Sequence, residues 1–420
     1  MDRFLIRGSR PLKGTVAISR AKNAVLPLLA ACLLTEETCT INDVPLLEDV
    51  NTMLKLLRAI GVKVEMRKRR VVITAAGKLN PEAPYDIVRK MRASYYVLGP
   101  LLARFGDCRV SLPGGCAIGP RPVDLHLKGI NALGARVKIQ KGYIRARAKT
   151  LRGNTMMLEG QKGPSVGATI NTMMAATLAR GVTVIEGAAC EPEVEDVACF
   201  LLCMGAKITG AGTPQITIEG VKQLSGTKHT PIPDRIEAGT FAIAAAITRG
   251  RVEITNCEPK HLTAVITKLK EIGVKVETDE KSILVDMKSR PRATKISTAP
   301  YPGFPTDLQA QFTALLSLAT GTSTITENIF ESRFLHALEL NRMGASIDII
   351  GNMAVIHGVE RLAGTAVMAS DLRASAALVL AALAARGQSE ILRIYHLDRG
   401  YERLEDKLAL VGAEIKRVQT

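Results

Sequence analysis

Two patterns of hydrophobic and polar residues alternate along this chain. In the first pattern, apolar residues recur three and four positions apart, as in residues 49–58 and 261–270, which predicts amphipathic helices. In the second pattern almost every residue is apolar, and a helix of that kind has no polar face to present to water. This second pattern predicts six buried helices, at residues 24–34, 93–102, 168–179, 239–247, 309–318 and 374–385.

A short signature follows each amphipathic stretch and contains a glycine between a hydrophobic and a small residue. Its glycines are Gly61, Gly134, Gly205, Gly273, Gly344 and Gly412, which are 73, 71, 68, 71 and 68 residues apart. Each glycine suits the left-handed cap of a helix, and the alternation that follows, as in residues 62–66 and 71–74, predicts a hairpin. A period near 70 residues is longer than that of common solenoid repeats. The chain therefore contains six copies of a unit that holds several elements.

The two ends of the chain complement each other. The last signature lies close to the C-terminus, so its hairpin has no return strand, whereas the chain opens with a predicted strand. Residues 4–14 closely resemble residues 216–226 and 354–364, which begin with the return strands of the hairpins in two other units. We therefore expect the N-terminal strand to complete the sixth unit.

Six units of this length exceed what one hydrophobic core usually holds. We predict an α/β fold of two domains with buried helices at the centre. One domain comprises residues 22–232, and the other comprises residues 1–21 and 233–420. The chain crosses between them near Arg20 and Pro233, which favours a hinge with a ligand-binding cleft beside it.

Composition excludes several functional classes. The N-terminus has no long apolar core or cleavage-type site, so no signal peptide is predicted. The apolar helices are shorter than the roughly 20 residues that span a bilayer. Eight scattered cysteines are typical of free thiols in a cytosolic protein of this size. We expect a cytoplasmic protein without membrane insertion, and the sequence leaves its oligomeric state open.

The formal net charge of +16 raises the alternative of a nucleic-acid-binding protein. Its densest basic cluster, residues 67–70, lies at a predicted hairpin tip, where a solvated turn explains it. No helix-turn-helix, zinc-finger or RNA-binding signature accompanies that cluster, and the chain has no Trp. Cys199 and Cys203 share a helix face without further ligands, so core packing explains them better than a metal site. No glycine-rich nucleotide motif is present, and no cofactor is expected.

Polar and charged residues collect where the buried helices begin. They are Lys22, Asn23, Arg92, Ser165, Gly167, Glu237, Asp307, Asp371 and Arg373. Helix N-termini present free N–H groups and the positive end of the helix dipole, which bind phosphate and carboxylate. Further arginines lie at other element junctions, namely Arg121, Arg333 and Arg399. These positions predict a site for an anionic small molecule.

Helix capping is the alternative explanation for some of these residues. Ser165, Asp307 and Asp371 are residue types that commonly cap helix N-termini. Capping does not explain the cations, because a positive charge is unfavourable at this end of a helix unless an anion lies there.

The second unit contains a longer loop than the other units. Residues 113–124 are rich in glycine and proline, which is typical of loops that close over a ligand. Cys116 lies in this loop, five residues before Arg121, and a nearby arginine favours the thiolate. A lone loop cysteine is usually incidental, but a position beside an anion site favours a catalytic role.

Five motifs together resemble those of the UDP-N-acetylglucosamine 1-carboxyvinyltransferases, the sister family of the EPSP synthases. The motifs are residues 21–24, 113–126, 305–312, 371–375 and 396–403. The resemblance runs from Met1 to the C-terminus. It implies an inside-out α/β barrel of two domains, each with three copies of one unit.

The resemblance also implies a reaction. The family transfers the enolpyruvyl group of phosphoenolpyruvate to the 3-hydroxyl of UDP-N-acetylglucosamine by addition and elimination, which releases phosphate and begins peptidoglycan synthesis. The implied phosphoenolpyruvate contacts are Lys22, Asn23, Arg121, Arg333, Arg373 and Arg399. The implied UDP-N-acetylglucosamine contacts are Arg92, Arg121, Pro122, Val123, Asp124, Leu125, Gly163, Pro164, Ser165, Val166, Asp307 and Ile329.

Catalytic roles follow from the same resemblance. Cys116 matches the proton donor that also forms a covalent adduct with phosphoenolpyruvate and is alkylated by fosfomycin. Asp307 matches the acceptor of the hydroxyl proton, and Asp371 matches a group in the proton-transfer steps, beside the catalytic cations Lys22 and Arg399.

Two alternatives stay open beside this reaction. The first is the sister reaction on shikimate 3-phosphate, although that family has a Ser-Lys pattern where this chain has Ala21-Lys22 and lacks the cysteine loop. The second is a non-catalytic, nucleic-acid-binding relative. One departure from the family pattern is Arg20, which stands where a glycine is usual and could stiffen the crossing or add charge beside Lys22.

Overall fold

The computed structural model describes residues 2–112 and 123–419. These residues form two compact units. The middle unit comprises residues 20–112 and 123–232, and the terminal unit comprises residues 2–19 and 233–419. Cys116, Arg121 and Pro122 lie outside the described residues.

Each repeat combines a buried helix, an outer helix and a hairpin. The helices are α1 (Lys22–Ala31), α2 (Glu48–Ile60), α3 (Tyr85–Val88), α4 (Leu98–Phe105), α5 (Asp124–Ala132), α6 (Val166–Ala176), α7 (Pro192–Cys203), α8 (Arg235–Ile247), α9 (Thr263–Glu271), α10 (Gln309–Leu316), α11 (Leu335–Arg342), α12 (Leu372–Ala384) and α13 (Leu404–Leu410). Short 3₁₀ helices span Cys32–Leu34, Arg92–Val97, Pro259–Leu262, Thr306–Leu308 and Ile394–Arg399. No helix among the described residues is both long enough and apolar enough to cross a membrane.

The strands follow the same repeat. They are β1 (Arg3–Arg7), β2 (Lys13–Ala17), β3 (Thr38–Ile41), β4 (Lys63–Arg67), β5 (Arg70–Thr74), β6 (Glu82–Ala83), β7 (Asp107–Ser111), β8 (Arg136–Gln140), β9 (Tyr143–Arg147), β10 (Thr155–Met157), β11 (Glu159–Gly160), β12 (Gly163–Pro164), β13 (Val182–Glu186), β14 (Lys207–Thr209), β15 (Gln215–Glu219), β16 (Lys228–His229), β17 (Arg251–Thr255), β18 (Lys275–Thr278), β19 (Ser282–Asp286), β20 (Lys295–Ser297), β21 (Thr322–Thr326), β22 (Ser346–Ile350), β23 (Met353–His357), β24 (Ala366–Met368), β25 (Gln388–Leu392) and β26 (Glu414–Val418).

Each repeat contributes to a four-stranded sheet whose parallel edge strand comes from the preceding repeat. The orders are β16-β3-β5-β4, β6-β7-β9-β8 and β10-β13-β15-β14 in the middle unit, and β18-β19-β17-β2, β20-β21-β23-β22 and β24-β25-β1-β26 in the terminal unit. Strand β1 lies between β25 and β26 and is antiparallel to both. Because β16 returns to β3 and β2 continues to β17, the three repeats of each unit form a closed cycle.

The buried helices lie at the centre of each unit, as the apolar pattern predicts. In the terminal unit, α8, α10 and α12 contact one another, and each has a nearly continuous run of buried residues. The signature glycines have positive φ angles, from 88° at Gly134 to 103° at Gly61, which confirms the predicted left-handed caps. The predicted α/β fold with central helices is therefore confirmed.

Two expectations from the sequence are wrong. The single helix predicted at residues 93–102 is a 3₁₀ helix, Arg92–Val97, followed by α4. Pro100 explains the change, because a proline has no N–H and its ring clashes with the carbonyl four residues earlier in an α-helix. Cys199 and Cys203 are exposed on α7 rather than packed in the core.

Candidate active site

In the terminal unit, Asp307 lies between two buried arginines. Arg333 Nη2 donates to Asp307 Oδ1 at 2.7 Å, and Arg373 Nη2 donates to Asp307 Oδ2 at 2.8 Å. Arg373 Nε adds a third hydrogen bond at 3.2 Å. Burial would raise the pKa of Asp307, but the charges and hydrogen bonds of Arg373 and Arg333 hold this pKa well below its usual range. Asp307 is therefore an ionised carboxylate that neutralises part of a cationic site.

Arg373 is fixed by buried polar residues that the sequence analysis missed. Its Nη1 donates to Tyr401 Oη at 3.2 Å, and that hydroxyl also contacts Thr240 Oγ1 at 2.8 Å. Gln311 Nε2 donates to both oxygens and to the Asp307 carbonyl. Polar side chains inside otherwise apolar helices are the sequence signal for such a network, because buried polar groups are nearly always hydrogen-bonded.

Arg333 is fixed by a second network. Its Nη1 donates to Thr306 Oγ1 at 2.7 Å, and Thr306 Oγ1 donates to buried Glu327 at 2.8 Å. Glu327 Oε1 also accepts from the backbone N–H groups of Ile329 and Phe330. The N–H of Ile329, a predicted nucleotide contact, is thus held by the protein itself.

Asp371 is the N-cap of α12 and accepts from the backbone N–H groups of Arg373 and Ala374. The capping alternative is therefore correct for Asp371, whereas Asp307 makes no side-chain cap. Buried His336 lies near Asp371, and burial followed by the charge of Arg333 lowers its pKa to about 4. Burial, and then the charge of Arg399, also lowers the pKa of His396. The structure thus brings Asp307, Arg333 and Arg373 together, and Asp371 caps the helix that carries Arg373.

In the middle unit, Lys22 is the first residue of α1, and its Nζ lies 3.2 Å from Asp49 Oδ2 in the first turn of α2. A carboxylate of the protein thus offsets the cation at this helix N-terminus. Asn23 follows Lys22 in the first turn of α1. Pro27 has no N–H to donate to the carbonyl of Asn23, so the helix leaves that oxygen available.

Two predicted nucleotide-contact segments lie together in the middle unit. Residues 123–125 begin α5, and residues 163–166 form β12 and the start of α6. A Cβ at Gly167 would lie 3.0 Å from the ring of His126, so a side chain at this position would push the ring away and loosen the approach of α5 to α6. Ser165 caps α6 by accepting from the N–H of Ala168, which confirms the capping alternative for this residue.

Asn171 connects this region to the start of the second buried helix. Its Nδ2 donates to the Tyr95 carbonyl at 2.7 Å and lies 3.1 Å from His126 Nδ1, while its Oδ1 accepts from the N–H of Gly99. Burial, followed by the charge of Arg92, lowers the pKa of His126 to about 4. His126 is therefore neutral near pH 7 and close to the predicted contact Arg92.

Two further junction residues have partners within their own units. Arg20 Nε donates to Asp43 Oδ2 at 2.8 Å, and its φ angle is not positive, so arginine at this position causes no left-handed strain. Glu237 is buried and accepts from Lys407 Nζ at 2.6 Å and from the N–H of Ser19 at 2.7 Å. These contacts explain Arg20 and Glu237 without a ligand.

Comparison with known proteins supplies the identity of this arrangement. A model of the EPSP synthase family (3-phosphoshikimate 1-carboxyvinyltransferase) matches residues 6–408. Two proteins named UDP-N-acetylglucosamine 1-carboxyvinyltransferase, from Methylacidiphilum infernorum and Desulfosudis oleivorans, are each 54% identical to this chain over 418 residues. The matches cover 100% of this chain and 99% and 100% of those proteins. The chain belongs to this family of enolpyruvyl transferases.

Solved structures of more distant enolpyruvyl transferases share the fold. The enolpyruvyl transferase NikO from Streptomyces tendae has a TM-score of 0.89 at 24% identity, with 100% of this chain and 99% of that chain covered. EPSP synthase from Acinetobacter baumannii has a TM-score of 0.76 at 20% identity, with both chains fully covered. The six-repeat, two-domain inside-out barrel is thus the fold of this enolpyruvyl transferase.

Proposed function

We propose that this enolpyruvyl transferase converts phosphoenolpyruvate and UDP-N-acetylglucosamine into the 3-enolpyruvyl ether and phosphate. The observation that carries the proposal is the 54% identity, along the whole chain, to proteins named for this activity. The residues of the terminal unit fit it, because Arg333 and Arg373 present fixed donors to an anion beside a carboxylate.

Exchange of anions is the first step that we propose. Before substrate binds, Asp307 holds Arg333 and Arg373 through short hydrogen bonds. Phosphoenolpyruvate brings its own carboxylate and phosphate, which share these arginines, so the charges that lower the pKa of Asp307 are partly neutralised. Asp307 thereby becomes a better acceptor for the proton of the sugar hydroxyl.

Addition and elimination then follow at the double bond of phosphoenolpyruvate. The Cys116 thiol donates a proton to the methylene carbon while the 3-hydroxyl oxygen bonds to C2 and its proton passes to Asp307. A tetrahedral intermediate results. The Cys116 thiolate left by the addition takes a proton back from the new methyl group, which re-forms the double bond as the C2–O bond to phosphate breaks, and phosphate leaves. We assign Asp371 to these proton transfers.

The substrate contacts that we propose follow the family resemblance. We assign the phosphate of phosphoenolpyruvate to Lys22, Arg121 and Arg399, and Asn23, Arg333 and Arg373 assist at its phosphate or carboxylate, since preorganised cations stabilise a trianion. We assign the nucleotide sugar to Arg92, to residues 121–125 and 163–166, and to Ile329. The approach of α5 to α6 supports grouping these two segments.

Both substrates are highly charged metabolites, which supports a cytoplasmic location for the reaction. The product carries the enolpyruvyl ether from which cell-wall peptidoglycan is built, so we place the enzyme at the start of that synthesis and upstream of cell shape and division.

A phosphate-release assay with two acceptors tests the proposal. Purified enzyme with phosphoenolpyruvate should release phosphate when UDP-N-acetylglucosamine is the acceptor. With shikimate 3-phosphate as the acceptor, the rate of phosphate release should stay at background. Release with shikimate 3-phosphate alone would assign the chain to the sister reaction instead.

A further inference from the structure

The outer face of the sheet β6-β7-β9-β8 carries three cations in one row across the strands. Arg145, in the middle of β9, pairs with Lys138 of β8 on one side and with Arg109 of β7 on the other. All three side chains are exposed, while their neighbours along β7 and β9 face the core. Like charges directly opposite each other destabilise a sheet. Repulsion between these three cations therefore works against the stability of the sheet.

The other repeats provide an internal comparison for this position. The residue that corresponds to Arg145 is uncharged in every other repeat, namely Val72, Thr217, Leu284, Val355 and Leu5. In the fourth repeat, moreover, charges alternate across a neighbouring row, with Asp286 between Lys275 and Arg251. The row of three cations is thus a specific departure of the second repeat.

Carboxylates on this face compensate only part of its charge. The cations are Arg109, Arg136, Lys138, Lys141, Arg145 and Arg147, and the carboxylates are Glu82 and Asp107. Asp107 contacts Arg145 and Arg147 at 3.1 Å and 2.8 Å, and Glu82 lies 3.5 Å from Arg109. The two lysines form no ion pair within residues 2–112 and 123–419. A net positive charge remains for an external anion.

A cavity of about 710 Å³ lies on the same face. Its lining includes Arg109, Lys141 and Arg145 and the amide side chains of Asn80 and Gln140. The Tyr143 ring also lines it, with the Arg109 guanidinium 3.9 Å from the ring centroid. The volume falls within the roughly 300–1,000 Å³ of small-molecule sites. The cavity thus combines three cations with the carboxylates Glu82 and Asp107, two amides and an aromatic ring.

We propose that this face binds a small molecule with an oligophosphate chain, of the nucleoside di- or triphosphate class. Neighbouring strands lie about 4.8 Å apart, so the three cations start from backbone positions about 10 Å across, and their long side chains can converge on consecutive phosphate groups. The ring of Tyr143 and the amides of Asn80 and Gln140 suit the base and sugar. A bounded cavity of this volume suits a small molecule better than the continuous phosphate backbone of a nucleic acid.

Calorimetric titration with ATP and with inorganic tripolyphosphate tests this site. The face variant combines Arg109→Gln, Lys138→Gln and Arg145→Gln. The matched control combines Lys13→Gln, Arg251→Gln and Lys275→Gln, which removes the same charge from the sheet of the fourth repeat. We expect wild type and control to bind both probes, and the face variant to bind about tenfold or more weakly. Equal affinity in all three proteins would overturn the proposal, and so would binding of duplex DNA without binding of ATP.

Thermal unfolding and a turnover assay of the same variants show whether a loss of ATP binding comes from the face itself. The face variant loses like-charge repulsion together with the exposed ion pairs to Glu82 and Asp107, which contribute little, so its thermal midpoint should stay close to that of wild type. The single variant Lys138→Gln, with a smaller loss of affinity, serves if the triple variant does not fold. Phosphate release from the two substrates should be unchanged without ATP, because none of these residues is assigned to enolpyruvyl transfer. Failure of the ATP site therefore leaves the proposed function standing.

Discussion

Buried Arg373 and half-buried Asp307 form a two-point ion pair, in which Arg373 donates to Asp307 Oδ2 from Nη2 at 2.8 Å and from Nε at 3.2 Å. The same carboxylate neutralises Arg333 from its other oxygen. The proposed base is therefore held ionised by the cations that we assign to the substrate. Binding of phosphoenolpyruvate and activation of the base are thus one exchange of partners.

Replacement of Asp307 by Asn should reduce both activity and stability. The amide cannot accept the hydroxyl proton, and it leaves two buried guanidinium groups uncompensated, at a cost of about 3 kcal/mol. Because the pKa of Asp307 is depressed in the folded protein, its ionised carboxylate stabilises the fold at every pH above its unfolded-state pKa. This stabilisation is lost only as the pH falls through the folded-state pKa. Urea unfolding should therefore show a constant deficit from about pH 5 to about pH 8. Asp348→Asn, at a carboxylate that is 70% exposed, is the control and should change neither quantity. A deficit that disappears within this range would contradict the ion-pair account.

Replacement of Tyr401 by Phe should weaken the use of phosphoenolpyruvate. The change removes the hydroxyl that accepts from Arg373 and contacts Thr240, and one such hydrogen bond is worth about 1 kcal/mol, or about fivefold. Steady-state kinetics should show a higher KM for phosphoenolpyruvate and an unchanged KM for the nucleotide sugar. Tyr395→Phe is the matched control, because Tyr395 is 48% exposed. Equal changes in both KM values would indicate general damage instead of lost positioning of Arg373.

Replacement of Lys407 by Met should destabilise the protein in a pH-dependent manner. Burial raises the pKa of Glu237, and the charge and hydrogen bond of Lys407 oppose that rise. Without Lys407 the buried Glu237 carboxylate keeps the N–H of Ser19 but has lost its cation, which costs about 3–5 kcal/mol. A carboxyl group whose pKa is raised by folding favours the folded state at acidic pH, where it is protonated. This stabilisation is lost as the pH rises through the folded-state pKa. The deficit should thus be larger near pH 8 than near pH 5 by urea unfolding. Lys260→Met, at a side chain that is 77% exposed, should show no deficit at either pH.

Fosfomycin should modify Cys116 and no other thiol. We expect this from the family resemblance, in which the epoxide alkylates the loop cysteine. Peptide mass spectrometry has two internal controls, since Cys199 and Cys203 are exposed on α7. Burial and the charge of Asp196 raise the pKa of Cys199, which keeps it a thiol near pH 7. Labelling of an α7 cysteine in place of Cys116 would refute the assignment.

The sequence predicts the scaffold well because the scaffold repeats. Six copies of one pattern reveal which glycines cap helices, and any error in one copy is corrected by the others. Single departures are harder to predict. Pro100 converts part of one buried helix into a 3₁₀ helix, and the exposure of Cys199 depends on which face of α7 meets the core.

In the terminal unit, the sequence predicts the charged residues around Asp307 but not the polar residues that hold them. Arginines and carboxylates at helix N-termini are visible in the sequence, but their pairing is not, because Asp307 and Arg373 are 66 residues apart. The supporting residues Tyr401 and Gln311 resemble ordinary core positions unless a buried polar group is itself taken as a signal.

Direct analysis of the reaction product tests the central claim most sharply. Wild-type enzyme incubated with phosphoenolpyruvate and UDP-N-acetylglucosamine should yield the nucleotide sugar with one enolpyruvyl group at the 3-oxygen, identified by mass spectrometry and NMR, with one phosphate per product. Asp307→Asn should yield almost none. Recovery of unmodified nucleotide sugar from a folded wild-type enzyme, or full product formation by Asp307→Asn, would contradict the account.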